Sequence, residues 1–261
     1  MPVVRVAAAQ MAIVAGDLAR NRRRMAELAQ QALDEGAQVV VLPELATCGY
    51  DLPNLPALAE PLDGGTTETM ASLAARYRAH LAWGMAERHG ERFYNTLALV
   101  GPDGKLLARY RKTHLIPLLA EPDYFAPGDE VVVVPTEIGR MGLAICYDLR
   151  FPGLFQRMAS QGAEVILLAA EWPLARGEHW RILTVATALQ SLAVLIGANG
   201  VGFCCDDALA GRSTIVSPWG ERIAEAADAE GIVVADLDLA QVAEARRRLP
   251  VGRGLRPELY V

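Results

Sequence analysis

An α/β fold built from two sheets packed face to face is predicted by three features of the sequence. Strand-like apolar runs alternate with helix-like amphipathic segments along the chain. The order of those segments is nearly the same in the two halves, although the halves share no sequence repeat. The composition, 52% hydrophobic and 21% charged over 261 residues, supplies a large core and argues against disorder. No linker with a shift in composition divides the chain, so residues 1–261 are expected to form a single domain.

The first half reads as a strand over Val3 to Gln10, a helix over Leu18 to Glu35 and a strand over Val39 to Leu42. A helix over Thr66 to Ala79 comes next, then strands near Leu81 to Ala86, Asn95 to Val100 and Leu106 to Tyr110. In the first helix Met25, Leu28, Ala29, Ala32 and Leu33 recur at helical spacing, and Gly36 stands where a C-terminal cap belongs. The second half reads as a strand over Met141 to Ile145, a helix over Pro152 to Gln161, a strand over Val165 to Ala169 and a helix over Glu178 to Leu192. Strands near Ala193 to Ala198, Ser213 to Ser217 and Ile232 to Ala235 complete it. Pro152 suits a first helical turn, because the N–H it lacks would have no partner there. Turn chemistry separates strands at Pro102-Asp-Gly-Lys105 and Ser217-Pro-Trp-Gly220. Asp238 with Gln241 has capping-box spacing for a last helix reaching Arg248. Beyond it, residues 249–261 read as an extended segment short of core residues, expected to pack on another surface.

The chemistry gathers at the ends of strands. Cys146 closes the run Met141-Gly-Leu-Ala-Ile-Cys and is followed at once by Tyr147-Asp-Leu-Arg-Phe-Pro152, which turns the chain toward a helix. A thiol at such a junction has backbone N–H groups beside it that favour thiolate or hold a developing oxyanion. Two earlier residues supply what a thiol lacks. Glu44 ends Val39-Val-Val-Leu-Pro-Glu and can take the thiol proton; Lys112 ends Leu106-Leu-Ala-Arg-Tyr-Arg-Lys and can hold negative charge on its neighbours. A free thiol has a pKa of ~8.5, so only a few per cent is thiolate at neutral pH without such help. Taken singly, Cys146 reads as a buried core residue, Glu44 as a loop carboxylate and Lys112 as a solvated strand end. Their joint occurrence inside extended motifs carries the functional reading.

Those motifs, Leu42-Pro-Glu44, Tyr110-Arg-Lys-Thr-His-Leu115 and Ile145-Cys-Tyr-Asp-Leu-Arg-Phe-Pro152, resemble the nitrilase superfamily of carbon-nitrogen hydrolases, whose catalytic Glu, Lys and Cys occur in this order. The resemblance runs from Val3 to about Asp238. It implies a four-layer α-β-β-α sandwich that pairs with a second subunit through outer helices, with residues 249–261 at the subunit interface. It also implies a catalytic set of Glu44, Lys112 and Cys146 with Glu121 as a second glutamate, and a thioester intermediate that needs neither metal nor organic cofactor. Tyr147, Arg150, Glu171, Trp172 and Arg176 are the expected substrate-binding residues.

The residues directly after the cysteine narrow the substrate class. Tyr147-Asp148 stands where nitrilases proper carry Trp-Glu, which points to amides. Together with Ala170-Glu-Trp-Pro-Leu-Ala-Arg176 and His179-Trp180, it resembles the ω-amidase branch, whose members hydrolyse 2-oxoglutaramate and related short ω-amides. Arg150 or Arg176 would then hold a free substrate carboxylate through paired hydrogen bonds. Gly200-Val-Gly-Phe-Cys-Cys205 departs from the Asn-Arg-Val-Gly pattern of that branch and keeps three alternatives open: a broad small aliphatic amidase, an N-carbamoyl amide hydrolase, and a noncatalytic binding protein using Cys146 as a redox switch.

Other features are read as structural. A net charge of -6 argues against nucleic acid or an anionic membrane as partner. No uncharged apolar stretch of the ~18 to 20 residues needed to span a membrane stands outside the α/β pattern. Cys48, Cys146, Cys204 and Cys205 give no disulfide framework, the N-terminus reads as a first strand rather than a leader, and a reducing cytoplasm is the simplest compartment. Cys204-Cys-Asp-Asp207 lacks metal-ligand spacing. His114 reads as a structural hydrogen-bonding group, Cys48 as pocket wall or core, and the arginines at 22–24 and 246–248 as solvated helix faces.

Overall fold

The computed structural model describes residues 3–205 and 207–259. Two six-stranded sheets carry the architecture. The first half supplies β1 (Val3–Gln10), α1 (Leu18–Asp34), β2 (Val39–Val41), the short helix α2 (Leu55–Leu58), α3 (Gly65–Tyr77), β3 (His80–His89), β4 (Arg92–Val100) and β5 (Leu106–Arg111). A one-turn helix, α4 (Glu121–Tyr124), leads to β6 (Val133–Pro135), β7 (Arg140–Ile145), α5 (Pro152–Ser160), β8 (Val165–Ala170), α6 (Gly177–Ser191) and β9 (Val194–Asn199). The chain ends with β10 (Val201–Cys204), β11 (Asp207–Ala210), β12 (Thr214–Val216), β13 (Arg222–Glu225), β14 (Gly231–Asp238) and α7 (Ala240–Arg248).

The two halves repeat one topology. β1, β2 and β3 pair in parallel, and β4 and β5 add to them antiparallel. β7, β8 and β9 likewise pair in parallel, and β12 and β13 add antiparallel. β14 returns from the second half to pair antiparallel with β1 over its whole length, Val3 opposite Asp238 and Gln10 opposite Gly231, which ties the halves together. β6 guards the far edge of the second sheet, and β10 with β11 forms a separate ribbon.

Side-chain alternation sets the layers. Val39 and Val41 of β2, with Val4, Val6 and Ala8 of β1, join Leu143, Ile145, Ile166 and Leu168 of the other sheet in one cluster. Val40 and its neighbours Ala7, Ala9, Leu81 and Trp83 point the other way and pack on Met25, Leu28, Ala32 and Leu33 of α1 and Met70 and Ala74 of α3. Strands covered on both faces become continuous apolar runs, as Val39-Val-Val and Val165-Ile-Leu-Leu do. With α5 contributing Leu154, Phe155 and Met158 on the far side, the stack is α-β-β-α.

Several local expectations change. The turn after Cys146 is 3-10 over Cys146–Arg150, and the α-helix begins only at Pro152. Glu121, in a stretch for which the sequence predicts no element, opens the one-turn helix α4. The last helix has Leu239 as its N-cap: Asp238 accepts from the Ala240 N–H at 2.9 Å, so the expected capping box with Gln241 does not form. Val251–Gly254 and Pro257–Leu259 are 3-10 turns, not an extended run, because proline at 250 and 257 favours turn geometry. Arg246 is no solvated residue; its guanidinium donates to the carbonyls of Leu192 and Ala163 and pins α7 to the loops after α6 and α5.

One contact fixes how β2 hands over to the catalytic end of the sheet. After β2 the chain continues along β3, with the Leu42 N–H donating to the Ala82 carbonyl at 2.8 Å and the Gly84 N–H to the Pro43 carbonyl at 3.0 Å. A Cβ on Gly84 would lie 2.5 Å from both the Glu44 Cα and the Pro43 carbonyl oxygen. Gly84→Ala is therefore expected to lower unfolding free energy by about 1–3 kcal/mol and to displace Glu44, with urea denaturation and activity as the paired measurements. Wild-type values for both would contradict this packing.

Candidate active site

Four elements deliver charged side chains to one place. Glu44 follows β2, Lys112 follows β5, Glu121 is the first residue of α4, and Cys146 follows β7. The Lys112 ammonium lies 2.7 Å from Glu44 Oε1 and 2.8 Å from Glu121 Oε1, and all three side chains have 0% exposure. Asn95 Nδ2 donates to the same two oxygens at 2.7 and 3.0 Å, and the Tyr50 hydroxyl lies 3.0 Å from each. The remaining oxygens are held by main chain: Glu44 Oε2 accepts from the Glu171 N–H at 2.9 Å and Glu121 Oε2 from the Ile116 N–H at 2.7 Å. Each carboxylate thus offers one oxygen to a shared set of donors and one to a backbone amide. That symmetry satisfies two buried charges that would otherwise be costly.

Burial works against the Lys112 ammonium, but the two carboxylates outweigh it and hold its pKa above the ordinary lysine value. Burial also opposes ionisation of Glu44; Lys112, by charge and by hydrogen bond, outweighs this and holds the Glu44 pKa below its ordinary value. Glu44 is therefore a carboxylate and available as a base. The Cys146 thiol lies close enough to Glu44 to bond to it, and burial followed by the Glu44 charge raises its pKa well above the ordinary value. Cys146 is thus a neutral thiol with the Glu44 carboxylate beside it. This corrects the expectation that the strand end itself would favour thiolate: two carboxylates against one ammonium leave the pocket negative, which opposes a third anion.

The turn that carries Cys146 is held by a second network. Cys146 has φ of +44°, a left-handed conformation that a residue bearing a Cβ adopts at a cost of order 1–3 kcal/mol. Asp148, fully buried, stabilises the turn. Its Oδ2 accepts from the Ile145 N–H at 2.9 Å and the Tyr110 hydroxyl at 2.7 Å. Its Oδ1 accepts from the His114 N–H at 3.2 Å and lies 2.8 Å from His114 Nδ1. His114 in turn stacks on Phe151, ring centroids 3.8 Å apart. The structural reading of His114 thus holds, and Asp148 links the end of β5 to the end of β7. The base side has a similar device, since Leu45, next to Glu44, has φ of +40°.

The expected substrate-binding residues divide. Trp172 is buried, donates from Nε1 to the Arg176 carbonyl at 2.8 Å, and carries the Arg150 guanidinium 4.8 Å above its ring. Arg150 also lies 3.2 Å from His179 Nδ1 and, among the described residues, has no carboxylate partner. Tyr147 is half-buried and meets Phe151 edge-on. Glu171 is buried, its main chain holding Glu44 and its carboxyl group set beside the Cys204 thiol; with Tyr50, Leu52, Leu119, Cys204 and Leu209 the residue borders a cavity of about 160 Å³. Arg176 enters the site only through its carbonyl, and the structure gives its guanidinium no polar partner among the described residues.

Tyr50 and Asn95 are missing from the sequence-based set. Asn95 sits on β4 opposite Ala86, and only the pairing of β4 with β5 shows that it faces Lys112. Cys48 is buried with Leu45, Leu52 and Phe125, and burial pushes its thiol up to about 12, so it belongs to the core. Among the described residues no group of three or more His, Cys, Asp or Glu is placed to hold a metal; Asp206, within the Cys204-Cys-Asp-Asp207 run, lies outside them. Among the described residues, no helix is long and apolar enough to cross a membrane.

The chain resembles known proteins over most of its length. The carbon-nitrogen hydrolase family matches residues 5–247. The chain is 38% identical over 226 residues to a 2-oxoglutaramate amidase of Bacillus subtilis (strain 168), covering 86% of this chain and 87% of the relative. It is 34% identical over 253 residues to an omega-amidase of Homo sapiens, covering 92% and 91%. Among solved structures it resembles XC1258 of Xanthomonas campestris, a CN-hydrolase superfamily protein with an arsenic adduct in its active site, with a TM-score of 0.91, 29% identity and 98% of each chain covered. A carbon-nitrogen hydrolase of Helicobacter pylori G27 has a TM-score of 0.92 at 26% identity, covering 99% of this chain and 97% of its own.

The charge arrangement has consequences for stability and for pH dependence. Asp148→Ala removes the acceptor of several buried donors and is expected to cost about 2–4 kcal/mol of stability together with most of the activity; denaturation midpoints and turnover of the purified variant check it. Because the Glu44 pKa is depressed, its base form persists as pH falls through the ordinary glutamate value of ~4.3. The acid limb of kcat/KM is therefore expected below that value as long as the fold survives, and a limb centred above about pH 6 would assign the base elsewhere.

Proposed function

We propose that this chain, which belongs to the carbon-nitrogen hydrolase family, hydrolyses a short ω-amide of a dicarboxylic acid, of the 2-oxoglutaramate type, to the free acid and ammonia. The observation that carries the reading is the buried Lys112 ammonium bonded to both Glu44 and Glu121 beside the Cys146 thiol. A binding module has no need of such a set, whereas amide hydrolysis uses each member. The relatives named for 2-oxoglutaramate and ω-amide hydrolysis support the substrate class.

Glu44 takes the Cys146 proton as sulfur attacks the amide carbonyl. The charge of the pocket is unchanged by that step: a carboxylate is neutralised as an oxyanion forms. Lys112, losing an anionic partner at Glu44, turns to the oxyanion, with the Tyr147 N–H as second donor at the start of the turn, where main-chain N–H groups lack intrahelical acceptors. Glu44 then returns the proton to nitrogen, the C–N bond breaks, ammonia leaves and a thioester remains. Water gives a proton to Glu44 and its oxygen to the acyl carbon; the C–S bond breaks and the thiol recovers the proton. Glu121 keeps Lys112 in place while Glu44 changes charge, a positioning role. The substrate carboxylate is offered Arg150, whose guanidinium has no acidic partner among the described residues and is backed by Trp172.

The proposal includes a homodimer in a reducing cytoplasm. Ile182 and Leu189 on α6 are 60% and 41% exposed, and Leu249 and Val251 are exposed on the C-terminal segment. A second subunit would cover such faces, and analytical ultracentrifugation is expected to give twice the 28.1 kDa chain mass.

Ammonia release across 2-oxoglutaramate, succinamate, glutamine, propionamide and a carbamoyl amino acid tests the substrate class. Release confined to the ω-amides is expected, and preference for propionamide or a carbamoyl compound would replace the reading by the corresponding amidase. Cys146→Ala should abolish turnover. Lys112→Ala should cost on the order of 10²-fold or more in kcat, the range for loss of one oxyanion donor. Glu121→Gln should impair turnover with the fold intact, and full activity would remove Glu121 from the site.

A further inference from the structure

Asn95 touches all three charged members of the cluster around Lys112. It lies on β4 opposite Ala86 of β3, and its main-chain carbonyl accepts from the Lys112 N–H at 2.8 Å. Its side-chain nitrogen carries two hydrogens and donates to Glu44 Oε1 at 2.7 Å and to Glu121 Oε1 at 3.0 Å. At the other end of the amide, Oδ1 is buried with no hydrogen-bond partner among the described residues. An unpaired buried acceptor costs about 1–3 kcal/mol. An apolar side chain would avoid that cost, so the contribution of Asn95 lies in its two donors.

A carboxylate oxygen has two in-plane lone pairs. Glu44 Oε1 faces three donors, the Lys112 ammonium at 2.7 Å, Asn95 Nδ2 at 2.7 Å and the Tyr50 hydroxyl at 3.0 Å. Glu44 Oε2 accepts from one nitrogen, the Glu171 N–H at 2.9 Å. Burial, then the charges of Glu121 and Glu44, raise the Tyr50 pKa well above its ordinary value, so its hydroxyl keeps its proton. Oε1 is therefore filled, and Oε2 keeps a lone pair open. The Lys112 share of Oε1 ends when the ammonium turns to the oxyanion, whereas Asn95 and Tyr50 carry no charge that would draw them after it. Two neutral donors still fill Oε1 at that moment.

We propose that Asn95, seconded by Tyr50, is a positioning residue that occupies Glu44 Oε1 throughout the reaction and so makes Oε2 the oxygen that exchanges protons with Cys146 and the leaving nitrogen. This rests on the cysteine amidase reading and deepens it. Oε2 gains the thiol proton, gives it to nitrogen, gains one from water and returns it to sulfur, while the protons of Asn95 and Tyr50 stay on their own residues. The titratable groups facing Glu44 are Lys112, Glu121, Cys146, Glu171 and Tyr50. Asn95 is neutral, so its replacement changes none of their charges, and a change in the Glu44 titration then reads hydrogen bonding. Donors to the ionised form hold a carboxylate pKa down, so loss of Asn95 raises that of Glu44.

The strands do not depend on the Asn95 side chain. Thr96, pointing to the other face, donates to Glu87 at 2.7 Å, and Arg111 clamps the same carboxylate at 2.9 and 2.6 Å, which joins β3, β4 and β5 independently. Asn95→Leu keeps the branched shape and removes both donors; it is compared with Tyr50→Phe and wild type. Turnover of 2-oxoglutaramate and alkylation of Cys146 by iodoacetamide, which draws the same thiol proton to Glu44, are followed against pH, with circular dichroism at each pH to monitor the fold. In Asn95→Leu, kcat should fall on the order of tenfold or more, KM should stay within about threefold, and the acid limb of both profiles should rise by roughly one pH unit. Tyr50→Phe removes one donor and should move the limb the same way by less. A loss of kcat or of folded protein with the limb in place is the mark of a purely structural role and overturns the proposal. A rise in KM at unchanged kcat overturns it too, since that would make Asn95 a substrate contact. Should Asn95→Leu fail to fold, Tyr50→Phe decides, and an unmoved limb there overturns the proposal. Alkylation needs no substrate, so it decides the role of Asn95 even if wild type hydrolyses no amide, a result that by itself removes only the amidase reading.

Discussion

One buried ammonium organises the site. Lys112 carries the positive charge at the centre of the cluster and is shared between two carboxylates that arrive from different parts of the chain. Removing Lys112 would leave two buried carboxylates without a counter-ion, and breaking a typical buried pair in that way costs about 3–5 kcal/mol. The ends of β2 and β5 and the start of α4 are therefore held together by electrostatics as much as by packing. Asn95 and Tyr50 complete the arrangement by giving both carboxylates the same neutral donors. So many shared bonds hold the cluster in place, as the proposed chemistry requires, since Glu44 would gain and lose a proton while its neighbours stay where they are.

The doubled topology explains why the components meet there. Each half places three parallel strands side by side, and the residues proposed to react come after strands of the two facing sheets: Glu44 after β2, Lys112 after β5 and Cys146 after β7. Parallel strands share a direction, so their C-terminal ends open on one edge, where loops are free to carry function while the apolar strands beneath remain fixed. Asp148 bridges the facing sheets through Tyr110 and thereby ties the turn carrying the Cys146 thiol to the strand that leads to the Lys112 ammonium. Backbone strain at Cys146 and Leu45 is tolerated because the surrounding structure determines both positions.

Much of this is legible in the residues. Strand runs such as Val165-Ile-Leu-Leu and the helical spacing of Met25, Leu28, Ala32 and Leu33 are local signals, and both elements form where those signals lie. Leu42-Pro-Glu44 and Ile145-Cys146 are readable because the chemistry and the strand end coincide in sequence. Asn95 and Tyr50 are not, since an asparagine in an alternating strand or a tyrosine in a loop carries no mark of what it will face. Their role comes from the pairing of β4 with β5 and from the turn after Glu44, both long-range. The resting thiol is also misread from local features: a strand-to-turn junction favours thiolate, but burial and then the charge of Glu44 outweigh it. The β10 and β11 ribbon and the edge strand β6 have short, weakly patterned sequences that only pairing reveals.

The most direct measurement is the mass of the protein quenched in acid during steady-state turnover of 2-oxoglutaramate. A covalent acyl adduct on the peptide containing Cys146, discharged by hydroxylamine and missing from Cys146→Ala, is the result predicted by a neutral thiol activated by Glu44. Sustained ammonia release with no adduct at Cys146 under any quench, or an adduct on another residue, would contradict it.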